Sequence, residues 1–320
     1  MKKTLVIATM LAAMSVGGLA SCNQQKADFE IGICQLVKHV ALDAATKGFI
    51  DAVRAGMKEA GKTVAFDKQI ASGDSDKCAV ISNSFVSKKK NLILANATPA
   101  LQAAVNTTVD IPILGTSITE YGVALGINDF NGKTGMNVSG TSDLAPLEEQ
   151  AQMLVDNFPG VSTVGILYCS GEANSKYQVD VVEAKLRSLG KSVNRISFAT
   201  TNDLPTVLSG SINAVDAIYI PTDNKCASSA ETIDSICSEK NKPVFAGEEG
   251  ICKGCGAYTL SINYYNIGQV TGQMALDILL NNADIKTMDI RYDEHPVKKY
   301  NPTICQRLGL TPPSDYVAIE

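Results

Sequence analysis

Tryptophan is absent, and histidine occurs only twice in 320 residues. The missing Trp by itself decides little. Two His with no H-E-x-x-H pairing argue against a histidine-based metal centre. G-x-S-x-G and a P-loop are missing too, which removes the commonest nucleophile and nucleotide signatures. Positive charge is scarce: 28 Lys+Arg face 33 Asp+Glu, a formal net charge of −5. That sign excludes nucleic acid as a natural partner, and Lys88-Lys89-Lys90 reads as the solvated end of a helix. Beyond residue 21 no stretch reaches the roughly 18 uninterrupted apolar residues of a membrane helix. Glu148-Glu149 and Glu248-Glu249 are adjacent pairs, so on a strand each pair would face opposite ways. The first pair suits the negative opening turn of a helix. "NDFNGKTG" lacks the regular oxygen ligands and closing Glu of a calcium loop and reads as a turn. No catalytic base can be named, and neither enzyme activity nor a cofactor or metal is expected.

What is present starts with an address. "MKK" followed by "TLVIATMLAAMSVGGLA" is an export signal covering residues 1–21. It ends in "LASC", which resembles the lipobox of bacterial lipoproteins. That resemblance makes Cys22 the mature N-terminus and lipid anchor, with residues 22–28 as a tether. The 299 residues left (320 less 21) suit two domains. Without Lys2 and Lys3 the balance is 26 basic to 33 acidic groups, about −7.

Eight further Cys remain, at 34, 78, 169, 226, 237, 252, 255 and 305. An even count in an exported chain permits disulfides. A chain of this length needs no staples, however, and Cys34 and Cys169 sit in apolar runs where a thiol acts as a small hydrophobe. Mostly free thiols are the expectation. "CKGC" at Cys252–Cys255 leaves three readings: a local disulfide, half a metal site, or two uncommitted thiols. Structural zinc would need a second pair, which is not evident.

Apolar runs alternate with amphipathic stretches. "EIGICQLV", "TVAFDKQIA", "NLILANAT", "IPILGTSI", "TVGILYCS", "VNRISFAT", "AIYIPTD" and "PVFAGEE" read as strands buried on both faces, as in a parallel sheet. Leu42, Ala45, Phe49, Ala52, Val53 and Met57 recur at helical steps before Gly61. The fold class is therefore α/β. "IGICQ…EAGKTVAFDKQIAS" also parallels "VGILY…SLGKSVNRISFAT", with starts at Ile31 and Val164, 133 residues apart. Two such units predict two similar lobes, each turning the carboxyl ends of its strands to a crevice. Those ends are rich in small polar residues: "QLVKH", "ANATPA", "GTSITE", "SGTSDLAP", "YCSGEANS", "IPTDNK" and "AGEEG". Each one taken singly is an ordinary helix N-cap. Seven converging on one cleft imply a binding site for a polar solute, with helix N-termini for a carboxylate and acids for an ammonium.

"IGICQLVKHVALDAATKGF", "LILANATPALQAA", "GMNVSGTSD", "VGILYCSGEANSKYQVD", "DAIYIPTDN" and "NIGQVTGQMALDIL" resemble a family of ABC-importer substrate-binding lipoproteins that includes tryptophan- and phenylalanine-binding members. The likeness runs from about residue 29 to the C-terminus. It implies a type I periplasmic-binding-protein fold with three hinge crossings, near Gly140–Ser142, Glu248–Gly250 and residue 284. Lobe 1 would hold 29–139 and 251–284, and lobe 2 would hold 140–250 and 285–320. It implies a monomer on the outer face of the cell membrane, delivering solute to an ABC permease and ATPase. Carried onto this chain, the cleft residues would be Gln35, His39, Thr98, Ser117, Asp143, Tyr168, Ser170, Asn174, Ser175, Asp223, Asn224 and Glu248. Asp143 or Asp223 would meet an ammonium; Thr98 and Ser117 would meet a carboxylate. His39 would bind or cap its helix; Val40 stands where the family usually has Pro. An aromatic amino acid is the expected ligand, with Tyr168, Tyr121 and Tyr258 as wall candidates. A sugar or nucleoside, or a sensor of the same fold, are the alternatives.

Overall fold

The apolar runs and glycine-closed helices form two α/β lobes. The computed structural model describes residues 26–320; the expected leader and the expected anchor Cys22 lie outside the described residues. Lobe 1 opens with β1 (Phe29–Gln35), α1 (Val40–Glu59), β2 (Val64–Ile70), α2 (Ser75–Ser87) and β3 (Leu92–Asn96). It continues with α3 (Thr98–Val105), β4 (Ile113–Ile118), α4 (Tyr121–Leu125) and β5 (Val138–Ser142). Its sheet runs β2-β1-β3-β4-β5, parallel throughout.

Lobe 2 follows with α5 (Leu147–Asn157), β6 (Thr163–Cys169), α6 (Ala173–Ser188), β7 (Ser192–Phe198), α7 (Leu204–Ser211) and β8 (Ala217–Ile220). Next come α8 (Asn224–Ser228), α9 (Ala230–Glu239), β9 (Val244–Ala246), α10 (Glu249–Cys255) and β10 (Tyr258–Ser261). Then α11 (Tyr264–Asn281) returns to lobe 1, and β11 (Val297–Tyr300), α12 (Pro302–Leu308) and β12 (Val317–Ala318) finish lobe 2. This sheet runs β12-β11-β10-β9-β8-β6-β7, antiparallel only between β10 and β11. The repeat is visible in it: β1 lies between β2 and β3, as β6 lies between β7 and β8. The matching turns hold Gly61 at φ +66 and Gly190 at φ +76, a region open to glycine.

Two crossings differ from the expectation. β10 pairs with β9 and β11, so residues 251–261 belong to lobe 2 and the second crossing follows Ser261, not Glu248–Gly250. "YTLS" is buried on every residue, and only the second sheet can cover it. The third crossing also comes later than residue 284. Ile290 N–H donates to the Gly132 carbonyl at 2.7 Å and Arg291 N–H to the Gly140 carbonyl at 3.0 Å, which keeps this segment on lobe 1.

Helix α11 lies parallel to α1, almost backbone to backbone. A Cβ on Gly48 would stand 2.1 Å from the Tyr265 carbonyl oxygen, and one on Gly268 would stand 2.1 Å from that of Ala45. Any side chain at either position would force the helices apart. Lys90 is not solvated as expected; it is buried and pairs with Glu30 at 3.0 Å. All eight described cysteines are buried free thiols, and Cys252 donates to the Gly256 carbonyl at 3.4 Å. Among the described residues no helix is long and apolar enough to cross a membrane, and no donor cluster fits a metal.

Candidate functional site

Where the carboxyl ends of the two sheets meet, they enclose a polar pocket. Its cavity volume is about 10 Å³, room for about one water, so the lobes stand shut on it and a solute enters only when they part. His39, Ser117, Asp143, Asn174, Asp223, Asn224 and Glu248 line it, all of them singled out from the sequence. Leu42, Thr119, Thr222, Ala227 and Tyr264 complete the wall and were not foreseen. No Lys or Arg is among them.

On the lobe 1 side the groups are held by backbone and left bare. His39 precedes α1 with an extended φ of −159 and makes no capping bond, so its ring is free for the cleft. Its Nε2 lies 3.3 Å from Asn224 Oδ1 across the cleft, and its Nδ1 has no partner. Burial holds the ring's pKa below the usual histidine value. Ser117 sits at φ +56 where the β4–β5 register shifts. That left-handed conformation costs a non-glycine residue about 1 kcal/mol or more. It leaves Ser117 Oγ buried and unpartnered. Asp143, just past the first crossing, accepts from the Tyr264 hydroxyl at 3.0 Å through Oδ2, while Oδ1 has no partner. Burial pushes this carboxyl up to about 6, against the Thr119 and Tyr264 hydroxyls, which favour its charged form.

On the lobe 2 side the groups are wired to one another. Asp223 caps α8 by accepting from Cys226 N–H at 2.9 Å; it also accepts from Cys169 N–H and Ser175 Oγ, each at 2.7 Å. Glu248 caps α10 through the N–H groups of Gly250 and Ile251, each at 2.6 Å, and burial raises it to about 7. Behind the pocket lies Glu172, buried and likewise raised to about 7 by burial and the nearby Asp223 charge. It accepts from Asn224 Nδ2 at 2.7 Å, Asn224 N–H at 3.1 Å, Lys225 N–H at 3.3 Å and Asn174 Nδ2 at 3.3 Å. Asn174 Nδ2 also donates to the Thr222 carbonyl at 3.0 Å, and its Oδ1 is unpartnered.

Seven buried side-chain N or O atoms among the described residues lack partners, and four of them, His39 Nδ1, Ser117 Oγ, Asp143 Oδ1 and Asn174 Oδ1, line this one pocket. Buried polar groups are ordinarily paired, so their convergence marks a place prepared for a guest. A larger groove adjoins it, lined by Leu36, Asp74, Glu172, Thr200, Asn224 and Lys225, so Glu172 stands between pocket and groove; no unpartnered buried atom lies there.

Five foreseen residues face elsewhere. Gln35 is turned to α1, accepting from Thr46 Oγ1 at 2.9 Å and donating to Asp43 at 2.7 Å. Thr98 opens α3 after Ala97 at φ +90 and is buried outside the pocket lining. Ser170 Oγ donates to the Phe198 carbonyl at 3.1 Å, and Ser175 is spent on Asp223. Tyr168 packs in the lobe 2 core. Tyr258 packs there too, against Phe158 and Tyr316. Tyr121 donates to the Thr141 carbonyl at 3.2 Å. None of these three tyrosines forms the wall. Tyr264 does, as the first residue of α11, and no sequence signal singled it out.

The model of the ABC transporter substrate binding protein family matches residues 30–318. A tyrosine-binding protein of Clostridioides difficile (strain R20291) is 33% identical over 281 residues, covering 85% of this chain and 81% of that one. Among solved structures, an ABC domain from Streptococcus pneumoniae in complex with L-Trp aligns at a TM-score of 0.84 with 30% identity, covering 89% of this chain and 96% of the other. The ligand-free, open structure of a substrate binding protein with adhesive properties from Clostridium difficile aligns at 0.68 with 35% identity, covering 91% and 100%. The lower identity goes with the higher structural agreement, so these lobes stand nearer the liganded arrangement than the open one. The chain belongs to the ABC transporter substrate-binding protein family, with a type I periplasmic-binding-protein fold.

Proposed function

We propose that this substrate-binding protein captures an aromatic amino acid, tyrosine or tryptophan before phenylalanine, between its lobes and presents it to an ABC permease and its ATPase. The observation that carries this reading is the unpartnered Asp143 Oδ1, buried in a closed pocket without Lys or Arg. An uncompensated buried carboxylate is costly, and a ligand ammonium removes that cost. The ligand carboxylate turns to the N-termini of α1 and α11, which meet at the pocket and favour negative charge, with Ser117 Oγ as a donor. Leu42, Ala227 and Tyr264 give the apolar and aromatic surface that a ring requires. The tyrosine and tryptophan named for two relatives support the same choice.

The protein acts by binding and hinge closure, not by catalysis. A ligand touching both lobes stabilises the closed form by its differential affinity. The chain is anchored outside the cytoplasm by lipid on Cys22, a reading that rests on "LASC". The deciding experiment is calorimetric titration with the twenty amino acids, a pentose and a nucleoside. Binding confined to Tyr, Trp or Phe is expected. Binding of the sugar or nucleoside alone would overturn the ligand assignment. For the anchor, Cys22→Ala is expected to abolish incorporation of radiolabelled palmitate; undiminished labelling would refute it.

A further inference from the structure

The orientation of the pocket's polar atoms is decided one step behind the pocket. Three of the donors that reach Glu172 meet one oxygen, Oε2, which stays an acceptor whether or not the carboxyl, raised to about 7, carries a proton on Oε1. It takes both asparagine amides by their nitrogens, Asn224 Nδ2 at 2.7 Å and Asn174 Nδ2 at 3.3 Å. The Thr222 carbonyl holds Asn174 Nδ2 as well, at 3.0 Å, so Asn174 Oδ1 faces the pocket, where it is unpartnered. Asn224 Oδ1 must face His39 Nε2, 3.3 Å away. A carbonyl oxygen can only accept, so Nε2 carries the ring hydrogen and, in the neutral ring, Nδ1 is left as a bare acceptor. His39 Nδ1 and Asn174 Oδ1 are thus both acceptors. With Asp143 Oδ1 they make three acceptors in one pocket. An ammonium offers three N–H donors and no acceptor.

We infer that Glu172 is a positioning residue which, through the Asn224–His39 relay and, jointly with the Thr222 carbonyl, through Asn174, fixes the inner pocket as an acceptor site and so selects solutes carrying a primary ammonium. This rests on the amino-acid reading above and extends it to a residue that is not on the pocket lining. Asp143 supplies the charge, while Glu172 sets the polarity of the neutral groups around it.

Glu172→Leu tests this, with Glu172→Gln as the conservative control. Both asparagine amides meet one oxygen, Oε2, so glutamine can keep its carbonyl there, whereas leucine offers no acceptor and frees the Asn224 amide to turn. Affinity is measured for tyrosine and for its des-amino analogue, 3-(4-hydroxyphenyl)propionate, beside a thermal melt. In E172L tyrosine affinity is expected to fall about tenfold or more, the size of a lost hydrogen bond to a charged group. The analogue should hold or gain, because it has no ammonium to lose, and E172Q should keep the preference for tyrosine. A merely structural role would weaken both ligands alike. Imidazole ¹⁵N spectra add a signature: His39 should be the Nε2–H tautomer in the wild type and in E172Q, and lose that preference in E172L. Asn224→Ala, which removes the relay itself, should lose it too and carries the test if E172L fails to fold. Equal losses for both ligands, no loss in E172L, or the same loss in E172Q overturns the role of Glu172. A wild-type protein that fails to distinguish tyrosine from the analogue overturns the ammonium reading itself.

Discussion

The two lobes meet the pocket in different ways. Lobe 1 offers atoms placed by backbone and left without partners: His39 with no capping bond, Ser117 at positive φ. Lobe 2 offers side chains already bound to protein groups, with both oxygens of Asp223 and of Glu248 engaged and Asn174 and Asn224 held by Glu172. One side waits for the ligand, and the other is set before it arrives. An acidic residue in the pocket therefore means two things. Asp143 has an oxygen without a partner, while both Asp223 oxygens are engaged.

The sharpest test sets those two aspartates against each other. Asp143→Asn should cost about 10- to 100-fold in amino-acid affinity, the worth of a charge-assisted hydrogen bond, with the thermal midpoint kept or raised; calorimetry and melting measure the two effects. Asp223→Ala should do the reverse. It strands Cys169 N–H, Ser175 Oγ and Cys226 N–H, at a stability cost of about 1–3 kcal/mol, read from denaturant unfolding. A stable Asp223→Ala protein with weak binding would erase the distinction. In lobe 1, Gly268→Ala meets a carbonyl 2.1 Å from its new Cβ and should lose about 1–3 kcal/mol by overpacking, also seen in denaturant unfolding.

The pH response is subtler. Ammonium capture needs ionised Asp143, whose carboxyl titrates at about 6. Affinity should therefore decline as pH falls through 6, by at most about tenfold per unit. The stability contribution has the opposite sign. Asp143 and Glu248 are raised by burial, to about 6 and about 7. The folded state then binds more protons than the unfolded one between about pH 4 and 7, so their contribution to stability grows as pH falls through that window and is lost as it rises. Titrations and melts at pH 5.5 and 7.5 should move in opposite directions for the ligand complex and for these groups' part of the ligand-free stability.

The α/β class and the paired lobes were legible because buried parallel strands leave apolar runs that few other structures produce. The residues at strand ends were legible because small polar groups cluster there. Which way each of them turned was not. Gln35 closes β1 as its sequence suggested, yet its amide is drawn inward by Thr46 and Asp43, two positions on the next helix. Glu172 lies in the quoted "YCSGEANS" corner, but a carboxylate that acts through two amides leaves no mark in spacing. The second crossing was misplaced because "GAYTLSI" lies beyond the last strand read from sequence, and only its pairing with β9 and β11 shows which sheet claims it. Tyr264 was not singled out, because the first turn of an amphipathic helix looks the same whether it ends in a core or a cleft.

The close seam between α1 and α11 has a consequence for how the protein measures its cargo. Both helices end at the pocket, one with His39 and Leu42, the other with Tyr264. Gly48 and Gly268 leave no side chain between them to compress or shift. The two helices therefore behave as fixed jaws of a calliper whose gap does not depend on what enters it. A bulkier solute has to be accommodated by the other lobe stopping short, so the width of the molecule grips the first lobe and its fit is reported by how far the second lobe swings.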